Sequence, residues 1–186
     1  YYNSIVNKNK YRVKSIFIGG GTPSFISPEY IEKILKKCRN VFDVKENAEI
    51  TIEANPGTLS REKLDVYKDA GINRLSIGLQ AWQDRLLQGI GRVHTCKEFI
   101  ENLCAAKEAG FNNISVDLIF GLPGQSLKDW LDTLDNVTKL DVTHLSCYSL
   151  KVEEDTVLDR KIKNGEIDYP DEELDREMYH NTIAIL

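Results

Sequence analysis

Three consecutive glycines, a hydroxyl, two carboxylates, an amide and a guanidinium stand at matching places along this chain. The glycines lie in Ser15-Ile16-Phe17-Ile18-Gly19-Gly20-Gly21-Thr22-Pro23-Ser24, directly after an apolar run. With no Cβ atoms in the way, Gly20 and Gly21 leave main-chain N–H and C=O groups open to a ligand, with the Thr22 hydroxyl beside them. Glu53, Gln80 and Asp117 fall at or near the ends of the next three apolar runs. Carboxylates pair with an ammonium group and accept from vicinal hydroxyls, and an amide both donates and accepts. Arg92, in Gly89-Ile90-Gly91-Arg92-Val93-His94, offers a planar fork suited to a carboxylate. A ligand carrying an ammonium group, a carboxylate and ribose hydroxyls would suit this set.

Each residue alone has a plainer explanation. The glycines would make a flexible turn, and Glu53 and Asp117 would cap the following loops. Gln80 would be an incidental strand-end residue, Arg92 a surface side chain, and His94 the residue before a helix N-cap. His144 and His180 suit packing or solvation. Only the joint placement of the group argues for a site. The glycine cluster lacks the G-K-[ST] ending of a P-loop. It also lacks the GxGxxG spacing and following acidic residue of a dinucleotide fold.

The elements that must position these residues alternate strictly. Strands are expected at 14–18, 48–54, 73–79, 112–120 and 143–150, and helices at about 28–40, 60–70, 95–109, 126–138, 155–163 and 170–186. Ser27-Pro28 reads as an N-cap followed by Pro at the first helical position. Thr95-Cys96-Lys97-Glu98 reads as a capping box, Ser60 and Ser126 as N-caps, and Gly71 and Gly110 as helix C-terminal glycines. Alternating strand and helix imply parallel strands joined by right-handed crossovers. Strand parity then separates two faces. Ile50, Ile52, Leu75, Ile77, Leu79, Ile114, Val116 and Leu118 share the face that must meet the helices. Thr51, Glu53, Ser76, Gly78, Gln80, Ser115 and Asp117 share the other. A doubly wound sheet would be apolar on both faces, and a closed eight-stranded barrel would fill its interior with bulky side chains. The parity therefore predicts an open α/β barrel of parallel strands, with the site residues at the carboxyl ends.

The 186 residues fit one domain or most of one. A net charge of −5 sets up no global basic field for nucleic acid. Lys8, Lys10, Arg12 and Lys14 read as a solvated face. No apolar run approaches the roughly 20 residues that span a bilayer. Cys38, Cys96, Cys104 and Cys147 match no zinc-type or CxxC spacing; they read as buried or incidental free thiols, and this usage suits a reducing cytosol. The absence of an initiator Met and of a stop signal near Leu186 reads as a fragment clipped at both ends.

The motifs Gly19-Gly20-Gly21-Thr22-Pro23-Ser24, Ile52-Glu53-Ala54-Asn55-Pro56, Arg74-Leu75-Ser76-Ile77-Gly78-Leu79-Gln80 and Asp117-Leu118-Ile119-Phe120-Gly121-Leu122-Pro123, in this order, resemble the radical S-adenosylmethionine (SAM) proteins of the oxygen-independent coproporphyrinogen III oxidase group. The similarity runs from about residue 11 to about residue 158. It implies a partial (β/α)6 barrel, truncated here, with residues 1–186 supplying its second to sixth strands and the start of a C-terminal helical region. It implies SAM as a cofactor, with Gly20, Gly21 and Thr22 at its methionyl part and Glu53, Gln80, Arg92 and Asp117 also lining SAM sites. The oxidases hold two SAM molecules. At Lys151 they have a small residue near SAM, and here a long cation stands there, which leaves the second site open.

The family's [4Fe–4S] cluster ligands, three cysteines spaced CxxxCxxC, follow a strand that the resemblance puts before residue 1. None of the four cysteines present replaces them by spacing. The expectation is a fragment that binds no cluster, performs no radical chemistry unaided and has an unpaired sheet edge able to pair with another chain. Gly91-Arg92-Val93-His94-Thr95 and Leu150-Lys151-Val152-Glu153 look closer to the HemW branch, similar to haem-binding chaperones, than to the oxidase branch, HemN. The partner implied is haem in the first case and a porphyrinogen, decarboxylated at two propionates, in the second. A cluster-free nucleotide-binding barrel is a third alternative. Nothing in the sequence identifies an electron donor.

Overall fold

The computed structural model describes residues 11–168 and 171–186. Lys8, Lys10 and the expected helix start at residue 170 lie outside the described residues. Five strands, β1 (Val13–Ile18), β2 (Val44–Ala54), β3 (Arg74–Gln80), β4 (Ile114–Phe120) and β5 (His144–Ser149), form one sheet in the order β1-β2-β3-β4-β5. Every pairing is parallel. Seven helices connect or follow them: α1 (Pro28–Val41), α2 (Arg61–Asp69), α3 (Asp84–Gly89), α4 (Cys96–Glu108), α5 (Leu127–Val137), α6 (Val157–Lys163) and α7 (Glu172–Ile185). Strand order equal to chain order is the order of a sheet curling into a half-barrel, and the open α/β barrel expected from parity is the fold observed.

Helical spacing explains the outer layer. Ile31 and Leu35 on α1, Phe99, Leu103 and Ala106 on α4, and Trp130, Leu134 and Val137 on α5 recur every three or four residues, and all are buried. They meet the apolar parity face. Ile52, Leu75, Ile77, Leu79, Val116 and Leu118 are each 0% exposed. Burying one such side chain stabilises by about 1.5–3 kcal/mol. Trp130 packs on Phe120 with ring centroids 5.4 Å apart. Its indole N–H donates to the Thr182 hydroxyl at 2.9 Å, which ties α7 to α5. Among the described residues, no helix is long and apolar enough to cross a membrane.

Capping follows the sequence with one correction. Thr95 and Ser126 form reciprocal capping boxes with Glu98 and Asp129, and Ser60 accepts from the Lys63 N–H. Gly71 and Gly110 have φ of +87° and +84°, the left-handed conformation that ends a helix. Ser27 holds the N-cap position before Pro28, but its side chain does not cap the helix. Its hydroxyl donates to the Glu29 carboxylate instead.

The structure also departs from the expected boundaries. β2 begins at Val44, because Val13 pairs with Val44 while Ser15 already pairs with Glu49. The extra residues form a bulge whose polar run Lys45-Glu46-Asn47 conceals the strand. The 3-10 turn Pro23–Phe25 and the short α3 were not expected. Both are too brief to show a helical period.

Candidate functional site

The site begins where β1 leaves the sheet. Gly20 and Gly21 take φ of +89° and +59°, so the chain turns through conformations that L side chains rarely adopt. Gly19 is glycine for want of room: a Cβ there would lie 2.8 Å from Phe17 Cε1 and 2.9 Å from Glu53 Oε2. This close approach lets the Gly20 N–H donate to Glu53 Oε2 at 3.1 Å. One carboxylate oxygen on β2 is thereby fixed by the main chain of the turn that follows β1.

Beyond Glu53, Asn55 joins three segments. Its Nδ2 donates to Thr22 Oγ1 at 3.0 Å, and its Oδ1 accepts from Arg92 at 3.3 Å. Its backbone N–H donates to Ser24 Oγ at 3.3 Å. Thr58 Oγ1 donates to the Asn55 carbonyl at 2.6 Å, and Ser24 Oγ lies 2.6 Å from the same hydroxyl. The loops after β1 and β2 and the loop carrying Arg92 are thus tied together. Burial lowers the Arg92 pKa from its usual value. Among the described residues Arg92 makes no ion pair, which leaves its charge for an incoming anion.

β3 and β4 complete the wall. Ser76 Oγ donates to Asp117 Oδ2 at 2.9 Å, fixing that carboxylate across neighbouring strands. The β3–β4 register shifts between Gly78 and Gln80, and Gln80 has φ of +72°. Gly78 makes room for it: a Cβ on Gly78 would stand 2.5 Å from Gln80 Nε2.

A cavity of about 340 Å³ gathers Gly21, Thr22, Glu53, Gln80, Arg92 and Asp117 at the carboxyl ends of the strands. Of the seven residues expected here, Gly20 is not on its wall; its N–H is bonded to Glu53, which is. Tyr148 from β5 also lines the cavity and is exposed. Sequence reasoning missed Tyr148, and it placed Ser76 on the polar face and Asn55 in a motif without giving either a role. Asn55 had one signal, its position at a strand end just before Pro56. Lys151 lies to one side, where it pairs with Glu153 at 3.2 Å. His94 is not a bystander before a helix: it is 5% exposed, and its Nε2 lies 3.2 Å from the Leu79 carbonyl. His144 and His180 are exposed and take no part in the cavity.

The donors fit the two ends of SAM. The Glu53 carboxylate suits an ammonium group, Arg92 a carboxylate, and Asp117 a pair of ribose hydroxyls. They do not fit an iron–sulfur cluster. Among the described residues no three His, Cys, Asp or Glu side chains are grouped to hold a metal ion. The four cysteines are free. None is fully buried, and Cys104 is exposed. Burial, with the charge of Asp117 added, pushes the Cys147 thiol up to about 11.

Residues 4–137 match the profile of the Radical SAM superfamily. The chain is 43% identical to the heme chaperone HemW of Bacillus subtilis over 178 residues, which is 95% of this chain and 47% of that protein. It is 38% identical over 175 residues to radical S-adenosyl methionine domain-containing protein 1, mitochondrial, of Bos taurus, covering 94% of this chain and 40% of that one. Among solved structures, the coproporphyrinogen III oxidase HemN of Escherichia coli superposes with a TM-score of 0.82 at 30% identity, over 94% of this chain and 40% of that one. The chain therefore spans under half the length of these relatives. By sequence profile and by fold, it belongs to the radical SAM superfamily.

Proposed function

We propose that this chain is the SAM-binding half-barrel of a haem chaperone of the HemW type. The superfamily's cofactors are SAM and a [4Fe–4S] cluster. The observation that carries the reading is the convergence of Gly21, Thr22, Glu53, Gln80, Arg92 and Asp117 on one cavity. In this reading Glu53, with one oxygen held by the Gly20 N–H, turns the other to the methionyl ammonium group. Arg92, oriented by Asn55, takes the methionyl carboxylate. Asp117, with one oxygen occupied by Ser76, accepts from ribose hydroxyls through the other. Gln80 closes the wall between them. Bound beside a cluster, SAM is the family's source of a 5′-deoxyadenosyl radical. The residues described here account for holding SAM and not for cluster ligation.

The choice of chaperone rests on the 43% identity to the Bacillus subtilis protein. The superposition on HemN favours a second reading, a coproporphyrinogen dehydrogenase that converts two propionates to vinyls. The decisive experiment uses the full-length protein, reconstituted anaerobically with SAM and reductant, and offers it coproporphyrinogen III or haem. Stable haem binding without decarboxylation is expected, and a vinyl-bearing product would overturn the chaperone reading. A cytoplasmic location belongs to this reading and rests on the four free thiols. So does self-association of the isolated chain through β1, an edge strand of the described sheet. A monomer at every concentration in analytical ultracentrifugation would remove that last element.

A further inference from the structure

We infer that His94 is a positioning residue of this site, holding Gln80 in the turn that sets its side chain on the cavity wall. The inference rests on the SAM reading of the cavity, but its geometry stands apart from the ligand. The Ala81 N–H donates to the Leu79 carbonyl at 3.0 Å, a bond that spans only Gln80. With Gln80 at φ of +72°, this is the positive-φ form of the γ-turn, which is rare and strained. A side-chain-bearing residue persists there only where its surroundings over-determine it.

Three features supply that constraint. Gly78 leaves space for the Gln80 amide, which any Cβ would invade. The register of β3 against β4 shifts between Gly78 and Gln80, and Gln80 pairs with Leu118 beyond the shift, so its backbone is held on the far side of a bulge. The Leu79 carbonyl then accepts a second hydrogen bond, from His94 Nε2 at 3.2 Å. A carbonyl only accepts, so Nε2 must carry the proton and the ring's tautomer is fixed.

His94 is itself held from behind. Thr95 and Glu98 close the capping box of α4 immediately after it. Two residues before it, the Arg92 N–H is bonded to the Leu87 carbonyl at 2.9 Å. One imidazole therefore fastens the end of β3, which bears Gln80, to the loop that bears Arg92. Both of these residues line the cavity.

The test uses the full-length reconstituted protein, with SAM as the titrant and hydrogen exchange at the Ala81 amide as a ligand-free readout. His94→Leu fills the space without a donor and should weaken SAM roughly 10-fold, as expected for loss of one positioning hydrogen bond. It should also accelerate Ala81 exchange. His94→Gln, which keeps a donor, should restore most of both. In a Gln80→Ala background, His94→Leu should cost less than about twofold, because the two act as a unit. Fully additive losses, or unchanged Ala81 exchange in His94→Leu, would overturn the inference. Should His94→Leu fail to fold, nitrogen-15 spectra of the wild-type imidazole decide: an Nε2–H tautomer is expected and an Nδ1–H tautomer overturns it. If Glu53→Ala leaves SAM affinity unchanged, the SAM reading fails, while the exchange and tautomer results still judge His94.

Discussion

Along β3, Leu75, Ile77 and Leu79 point to one face and Ser76, Gly78 and Gln80 to the other, and both sets are buried. The difference lies in what satisfies them. The first set needs only contact, and finds it in the apolar stripes of the helices. The second needs partners with direction: Ser76 finds Asp117, Gly78 yields space, and Gln80 depends on a turn fastened from another loop. The comparison teaches that a single strand can carry stability and specificity at alternate residues. A substitution on one face should then leave the property of the other intact.

The largest effect should come from the apolar face. Ile77→Ala should cost about 2–5 kcal/mol of stability in urea unfolding, as a core cavity does. The folded fraction should bind SAM within about twofold of wild type. Affinity lost without stability would break the division. On the polar face, Glu53→Ala should weaken SAM by roughly 10- to 100-fold by calorimetry, the range for a hydrogen bond to a charged group. Its Tm should move by no more than about 2 °C. A large fall in Tm would make Glu53 a structural carboxylate.

Gln80→Gly sharpens the contrast, because it removes both the cavity-lining amide and the positive-φ strain. Stability should hold or rise by up to about 1 kcal/mol while SAM affinity falls. Stability lost with affinity kept would reverse the assignment. The smallest effect concerns pH. Burial lowers the pKa of His94, and the Arg92 charge adds to this, against the opposing pull of the Leu79 bond, Glu98 and Asp84. With the folded value below the unfolded value of about 6.5, the unfolded chain takes up the proton first. Stability contributed by this group is therefore complete above pH of about 6.5 and is lost as pH falls from there through the folded value. His94→Gln should flatten that part of the stability–pH curve, and identical curves would exclude the effect.

The sheet and its two faces were legible because parity is a local property. A strand's own residues state which face is apolar. The glycine cluster was legible for the same reason, since φ above zero selects glycine without reference to the rest of the fold. Asn55 was not, because its partners Thr22 and Arg92 lie 33 and 37 residues away. The same is true of His94, which meets Leu79 15 residues back, across α3. Gln80 gave its type and place but not its turn, because no local preference puts glutamine at φ of +72°. Local pattern thus predicted residues that line the cavity, and only tertiary contact revealed what braces them.

The order β1-β2-β3-β4-β5 has a consequence for how the chain is made. Each strand after β1 has as a sheet neighbour the one synthesised just before it, a single crossover connection away. No pairing waits for a strand from the far end of the described sheet. Parallel pairing is slow because each contact must first close a whole crossover, but in this order each closure needs only the crossover just made, so the sheet can widen one strand at a time in the direction of translation.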